Sequence, residues 1–308
     1  MAPEDIDSPS LPRQCSYAPD QRTSTIGSTF SRFVEGLREP VLSERCSTTI
    51  KLPRWWKLAA ALAVFGAGVA GVSAYTLISV TRPQPLGLAS PVPRTPAPTP
   101  TQADQLAAIC RQPAVPSAPA PADLSGLWVV QPGSEVGYRA HEKFVDLPSP
   151  NIAVARTSRV SGWLLVADDG AAVRIETGCV AVELATLHSI DTLPGFHTAD
   201  RDDSVRDFLH MRDHPYAVLQ VYPVTINIGR PSGAPVHVRV SGALELNGIS
   251  RPATFNLDAR LNADQVAAAG STTVTVGDYC IEVPQGPSGF VSVDPHITLE
   301  ISLVLLKR

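Results

Sequence analysis

Three segments in the C-terminal third of the chain alternate apolar and polar residues with a period of two. This alternation restricts the fold more than any other feature, because a helix cannot segregate such a pattern onto one face. In "VHVRVSGALEL", Val236, Val238, Val240, Gly242, Leu244 and Leu246 share one face, and His237, Arg239, Ser241 and Glu245 share the other. In "ATFNLDARL", Phe255, Leu257, Ala259 and Leu261 oppose Thr254, Asn256, Asp258 and Arg260. "HITLEISLVLLKR" aligns Ile297, Leu299, Ile301, Leu303 and Leu305. Asn247-Gly248 separates the first two segments and supplies the positive φ angles of a tight hairpin, so they are expected to be antiparallel neighbours.

Further strands are expected in "GLWVVQP", "SEVGYRA", "RVSGWLLVAD", "AAVRIETGCVAVEL" and "AVLQVYPVTINI". Asp169-Gly170 marks a second hairpin. Between residues 171 and 184 the apolar phase flips from Val173 and Ile175 to Val180, Val182 and Leu184, which a bulge at Thr177-Gly178 would explain. About eight to ten strands with one apolar face each, in one domain from 123 to 308, suit a closed antiparallel barrel or a sandwich.

A single helix is expected to interrupt these strands, in "DRDDSVRDFLHMRDHPYAVLQV". Val205, Phe208 and Leu209 form its apolar stripe, and Asp202 or Asp203 can cap its start. Pro215 disfavours helical dihedrals at His214, so the helix should stop near Arg212. Arg201, Arg206 and Arg212 interleave with the aspartates, a pattern that suits exposed pairing.

Upstream, Leu58 to Val80 is an uncharged apolar run of 23 residues. At about 1.5 Å per residue it spans roughly 34 Å as a helix, enough for a bilayer core of about 30 Å. Arg38, Arg45, Lys51, Arg54 and Lys57 precede the run, and only Arg82 and Arg94 follow it closely. The positive-inside rule then places the N-terminus in the cytoplasm and the C-terminal domain outside. The competing reading is a signal peptide cleaved after "VSA" at Val72–Ala74. Residues 1–54 have the composition of a disordered cytoplasmic tail, 55–81 of a transmembrane helix, and 82–122 of a proline-rich linker. Residues 83–122 hold 11 prolines in 40 positions and are expected to act as a semi-rigid spacer.

Net charge is -4 over 308 residues, without the clustered Lys and Arg that nucleic acid binding needs. From Asp123 onward, 14 basic against 21 acidic residues give -7, an acidic domain. His210 and His214 share the i, i+4 spacing of a helical zinc pair, but a helix ending near Arg212 separates their rings. No metal site and no catalytic residues are assigned. His197 lies near acids without a serine or cysteine nucleophile. Cys15 and Cys46 fall on the cytoplasmic side of the expected span, where thiols stay reduced, and Cys110 falls in the linker. Cys179 and Cys280 lie in strand-like segments; outside the membrane they could form a Cys179–Cys280 bridge, the alternative being two separate buried thiols.

The domain resembles the YceI-like family of lipocalin-like polyisoprenoid-binding proteins. The resemblance begins at "LWVVQPGSEVGYRAHEKF" and continues through Arg201, Asp202, Val205, Arg206, Asp207, Phe208 and Pro215. It is closest at "VSGALELNGISRPATFNL", through Gly242, Leu244, Gly248, Arg251 and Pro252. In "VGDYCIEVP", Asp278 and Ile281 fit the family pattern, whereas Tyr279 and Cys280 depart from it.

The resemblance implies a mainly β, lipocalin-like antiparallel barrel over 123–308, holding an isoprenoid chain and no other cofactor. Candidate lining residues are Val238, Val240, Leu244, Phe255, Leu257, Leu299, Ile301 and Leu303, with Phe208 and Leu209 closing one mouth. Alternation alone does not separate a hollow barrel from a filled one. Two other readings stay open: an interaction module with a filled barrel, and an enzyme on a small apolar substrate using His197, His210 or an aspartate. Small residues at inward positions would favour a cavity.

Overall fold

The computed structural model describes residues 83–91, 104–113, 124–145, 150–170, 172–192, 197–226, 234–262, 264–284 and 291–308. The expected tail and membrane span lie outside them. Among the described residues, no helix is long and apolar enough to cross a membrane.

Among the described residues, thirteen strands form one antiparallel sheet. They are β1 Gly126–Val130, β2 Glu135–Phe144, β3 Asn151–Thr157, β4 Val160–Asp168, β5 Val173–Glu183, β6 His188–Ser189 and β7 Tyr216–Val221. There follow β8 Val224–Ile226, β9 Val236–Leu246, β10 Ile249–Asn262, β11 Gln265–Thr275, β12 Val291–Val293 and β13 His296–Lys307. Helix α1 is Asp104–Ile109 and α2 is Thr198–Phe208.

The sheet closes because β13 pairs with both β1 and β2, at Trp128↔Lys307 and Val136↔Ile301. β1 and β2 act as one bent strand, as do β3 and β4. The circuit is therefore eight-stranded: β1/β2, β4/β3, β5, β7, β9, β10, β11 and β13. At the bend between β1 and β2, the buried Ser134 hydroxyl donates to the Gln131 carbonyl at 2.8 Å and accepts from the Val304 N–H at 2.9 Å. It satisfies a backbone group that the bend would leave orphaned.

The hairpin at Asn247-Gly248 forms as expected, with φ of 50° and 68°. The His214 ring packs so close to Gly248 that an added Cβ would lie 2.6 Å from it. The phase flip in β5 is a bulge, one residue upstream of its expected place. Leu165 faces Thr177 and Val166 faces Ile175, so Glu176 is the extra residue.

The alternation pattern breaks in β3 and β11, as it does in the short β1. In β3, Ala153, Val154 and Ala155 are each 1% exposed, so both faces are covered. In β11, Ala267, Ala268 and Ala269 are all buried. A strand covered on both faces has no polar side to alternate with.

Two stretches of the linker region lie against the barrel's outside. Leu106 and Cys110 pack on Leu127, Val129, Trp163 and Ala181, and the Trp163 indole donates to the Cys110 carbonyl at 3.1 Å. Cys110 is disulfide-bonded to Cys179. Neither the candidate Cys179–Cys280 bridge nor a free Cys179 is found: the apolar outer face of β1, β4 and β5 recruits α1 and brings Cys110 to Cys179. Along another flank, Arg139 donates to the Pro83 carbonyl at 2.8 Å and Ser302 to the Gly87 carbonyl at 2.9 Å. Beneath that segment the buried Glu300 accepts from Arg139 Nε at 2.5 Å.

Candidate functional site: an apolar cavity with one buried guanidinium

The barrel interior holds a cavity of about 390 Å³ that opens to the outside. The inward faces of β7, β9, β10 and β13 form much of its wall, and the Val205, Phe208 and Leu209 stripe of α2 lies against it. Its space is opened by small residues at inward positions: Ala140, Ala153, Ala217 and Ala268 all border it. Leu299, Ile301, Val205 and Leu209 are only partly buried, as side chains facing an open interior must be.

Nine of the ten expected lining residues reach this wall: Phe208, Leu209, Val240, Leu244, Phe255, Leu257, Leu299, Ile301 and Leu303. Val238 does not. It is 8% exposed and packs in the core beside the cavity.

Helix α2 departs from expectation at both ends. It begins at Thr198 with His197 as N-cap, so neither Asp202 nor Asp203 caps it. Asp202 instead accepts from the Ser189 N–H at 3.0 Å and its hydroxyl at 2.6 Å, fastening α2 to β6. The helix ends at Phe208, and His210 is left-handed with φ 47°. The two histidines part company: His210 Nδ1 lies 3.0 Å from Asn247 Oδ1, while His214 packs on Gly248.

Asp200, Asp203, Asp207 and Asp213 are exposed, as the charged face requires, and Arg206 pairs with Asp203. Arg201 is the exception. Expected outside, it is 7% exposed and borders the cavity. Its Nη1 donates to Asp191 Oδ1 at 2.7 Å, and its Nε is 3.3 Å from Glu142 Oε1 without hydrogen-bond alignment. Among the described residues, Nη2 has no hydrogen-bond partner. Asp191 Oδ1 also accepts from the Val154 N–H at 2.9 Å, and Glu142 Oε2 from Asn151 at 3.2 Å.

This cluster sets its own titration. Burial raises the Glu142 carboxyl above its ordinary value, against the lowering influence of Arg201 and Asn151. Burial also holds the neighbouring Tyr138 phenol well above its ordinary range, with Arg201 acting the other way. For Arg201, burial works against the charge, but the Asp191 hydrogen bond and Glu142 more than offset it. The guanidinium stays charged at the cavity wall. Spacing alone could not have found this residue, because Arg201 reads as one charge among many. The Arg201-Asp202 pair within the family resemblance was the available signal.

The sequence profile of the YceI-like domain family matches residues 138–305, more than half of the chain, and the protein belongs to that family. No curated protein matches the sequence. Among solved structures, a polyisoprenoid binding domain from Saccharophagus degradans is similar, at 14% identity and TM-score 0.42, covering 60% of this chain and 99% of its own. Burkholderia cenocepacia BcnA is similar at 15% identity and TM-score 0.40, with coverages of 57% and 98%. A mutant YceI protein crystallised with monobromobimane is similar at 12% identity and TM-score 0.31, with coverages of 52% and 82%.

Proposed function

We propose that this protein binds an isoprenoid or other long apolar lipid inside its barrel, and carries or sequesters it without chemical change. The observation that carries the proposal is the cavity of about 390 Å³ inside the barrel, with predominantly aliphatic walls. Each methylene-sized group moved from water into such a site contributes about 0.8 kcal/mol, so a long chain binds with few polar contacts. Membership in the YceI-like family supports the same reading. A cavity of this size weighs against a filled interaction module. His197 and His210 are both exposed and neither borders the cavity, and Asp200, which does border it, is exposed too, which favours binding over catalysis.

In this reading Leu58–Val80 anchors the chain, the N-terminus is cytoplasmic, and the barrel works on the extracytoplasmic side. The excess of Lys and Arg before the span supports that orientation. So does the Cys110–Cys179 disulfide, since disulfides persist in oxidising compartments. Native mass spectrometry of the full chain, purified from a lipid-containing host, tests the binding. A co-purifying apolar lipid is expected. No bound lipid, and no uptake of an added polyprenol, would contradict it.

A further inference from the structure

We infer that the barrel docks with its α2 end against the outer surface of the bilayer that holds the chain, so that lipid passes between membrane and cavity without crossing water. This inference rests on the lipid-binding and anchor readings above and adds the direction from which the cavity fills. The segment that follows the apolar run carries it. The carbonyls of Pro83, Gln84 and Gly87 accept in turn from Arg139, Arg156 and Ser302 on the barrel wall. By register these partners stand level with Arg139, Gly137 and Glu135 of β2. From Pro83 to Gly87 the chain thus runs along the wall away from Phe144, and its upstream side lies toward the Phe144 end. Only Thr81 and Arg82 separate Val80, the last residue of the apolar run, from Pro83. Three Cα steps of about 3.8 Å reach about 11 Å at most. A tether that short cannot hold the barrel away from the bilayer.

The cavity opens at the same end. Arg201 of α2 lies 3.3 Å from Glu142, two residues before Phe144, which places the helix there. Phe144 borders the cavity, and so do Asp200 and Ser204 of α2, both exposed, which marks an opening beside the helix. The rim offers apolar surface. Val145, directly after Phe144, is 75% exposed, the most exposed large hydrophobic among the described residues. Ile190, next to the Asp191 that holds Arg201, is 36% exposed. Apolar side chains turned outward around an opening suit contact with a membrane interface. The outer charges of α2 are mixed, with Arg206 and Arg212 among Asp200, Asp203, Asp207 and Asp213. No basic cluster draws this end to anionic lipid, so the contact depends on the short tether and the apolar rim.

The test reconstitutes the full chain in phosphatidylcholine vesicles, with the photocrosslinker p-benzoylphenylalanine replacing Val145 or Thr225. Val145 samples the α2 end. Thr225 samples the opposite end, where β8 pairs with the start of β5. Both residues are exposed, so neither replacement disturbs packing. Lipid adducts at Val145 are expected to exceed those at Thr225 at least fivefold. A flexible Gly/Ser insertion of about 20 residues between Arg82 and Pro83 adds a span of roughly 25 Å and keeps the docked segment intact. It should lower the Val145 adducts at least threefold. Equal adducts at the two sites, more at Thr225, or no effect of the insertion would overturn the docking. Release of the chain from the vesicles by carbonate would overturn it as well, through loss of the anchor. Native mass spectrometry of the same samples, loaded with a polyprenol, reads lipid binding separately. Bound polyprenol without Val145 adducts removes the docking alone, and adducts at Val145 without bound polyprenol remove the lipid-binding reading and the transfer route with it.

Discussion

Arg201 of α2 donates to Asp191 across 2.7 Å, and each side chain is at most 7% exposed. The contact joins the cavity-facing helix to the barrel, because Asp191 Oδ1 also accepts from the backbone of β3 at Val154. Asp191→Ala would leave a buried guanidinium without its best partner. The expected cost is about 3–5 kcal/mol, the range for breaking a buried ion pair from one side. Urea denaturation measures it. Replacing Asp191, Arg201 and Glu142 together by apolar residues should cost less than Asp191→Ala alone, because no charge is then left unpaired.

The Cys110–Cys179 disulfide closes a loop of sequence separation 69. In the chain-entropy picture a loop of that length stabilises by about 4 kcal/mol. Cys110→Ser should lower the melting temperature and free α1 from the Trp163 face. Peptide mapping without reduction should recover a fragment linking Cys110 to Cys179. A fragment linking Cys179 to Cys280 would contradict the structure.

Ala217 sits on an inward face of β7 where a larger side chain would enter open space. Ala217→Leu is expected to reduce affinity for an added polyprenol at least tenfold, with the melting temperature unchanged or raised. Overpacking a filled core would instead cost about 1–3 kcal/mol. The two outcomes distinguish a hollow barrel from a packed one.

Glu142 gives stability a pH dependence whose sign follows from burial. Its folded pKa is raised above the ordinary 4.5, so the folded state holds this proton more tightly than the unfolded chain. Its contribution is fully present below pH 4.5 and is lost as pH rises from there through the raised value. Glu142→Gln should flatten that decline in stability, measured by denaturation across the acid range. A steeper decline in the variant would contradict the assignment.

Much of the barrel was legible because half-covered strands write their burial as alternation. β9, β10 and β13 are of this kind, and nine of their cavity-facing and α2 residues reached the wall as read. What stayed hidden had other causes. β3 and β11 are covered on both faces, and their Ala-rich cores carry no period. α1 was masked by a proline-rich surround, and its disulfide depends on an outer apolar face visible only once β1, β4 and β5 stand side by side. Arg201 was hidden by its neighbours: in a run of exposed charges, only the helix phase and the buried carboxylates of β2 and the segment after β6 decide which one turns inward.

The location of bound lipid is the direct test of the central claim. Methyl-resolved NMR of the delipidated full chain, titrated with geranylgeraniol, should shift the resonances of Val240, Leu244, Leu257 and Leu303 on the cavity wall. Leu106 of α1 and Leu127 beneath it, packed together on the outside, should stay in place. Shifts confined to the outer residues, or none at saturating lipid, would contradict a lipid-filled barrel.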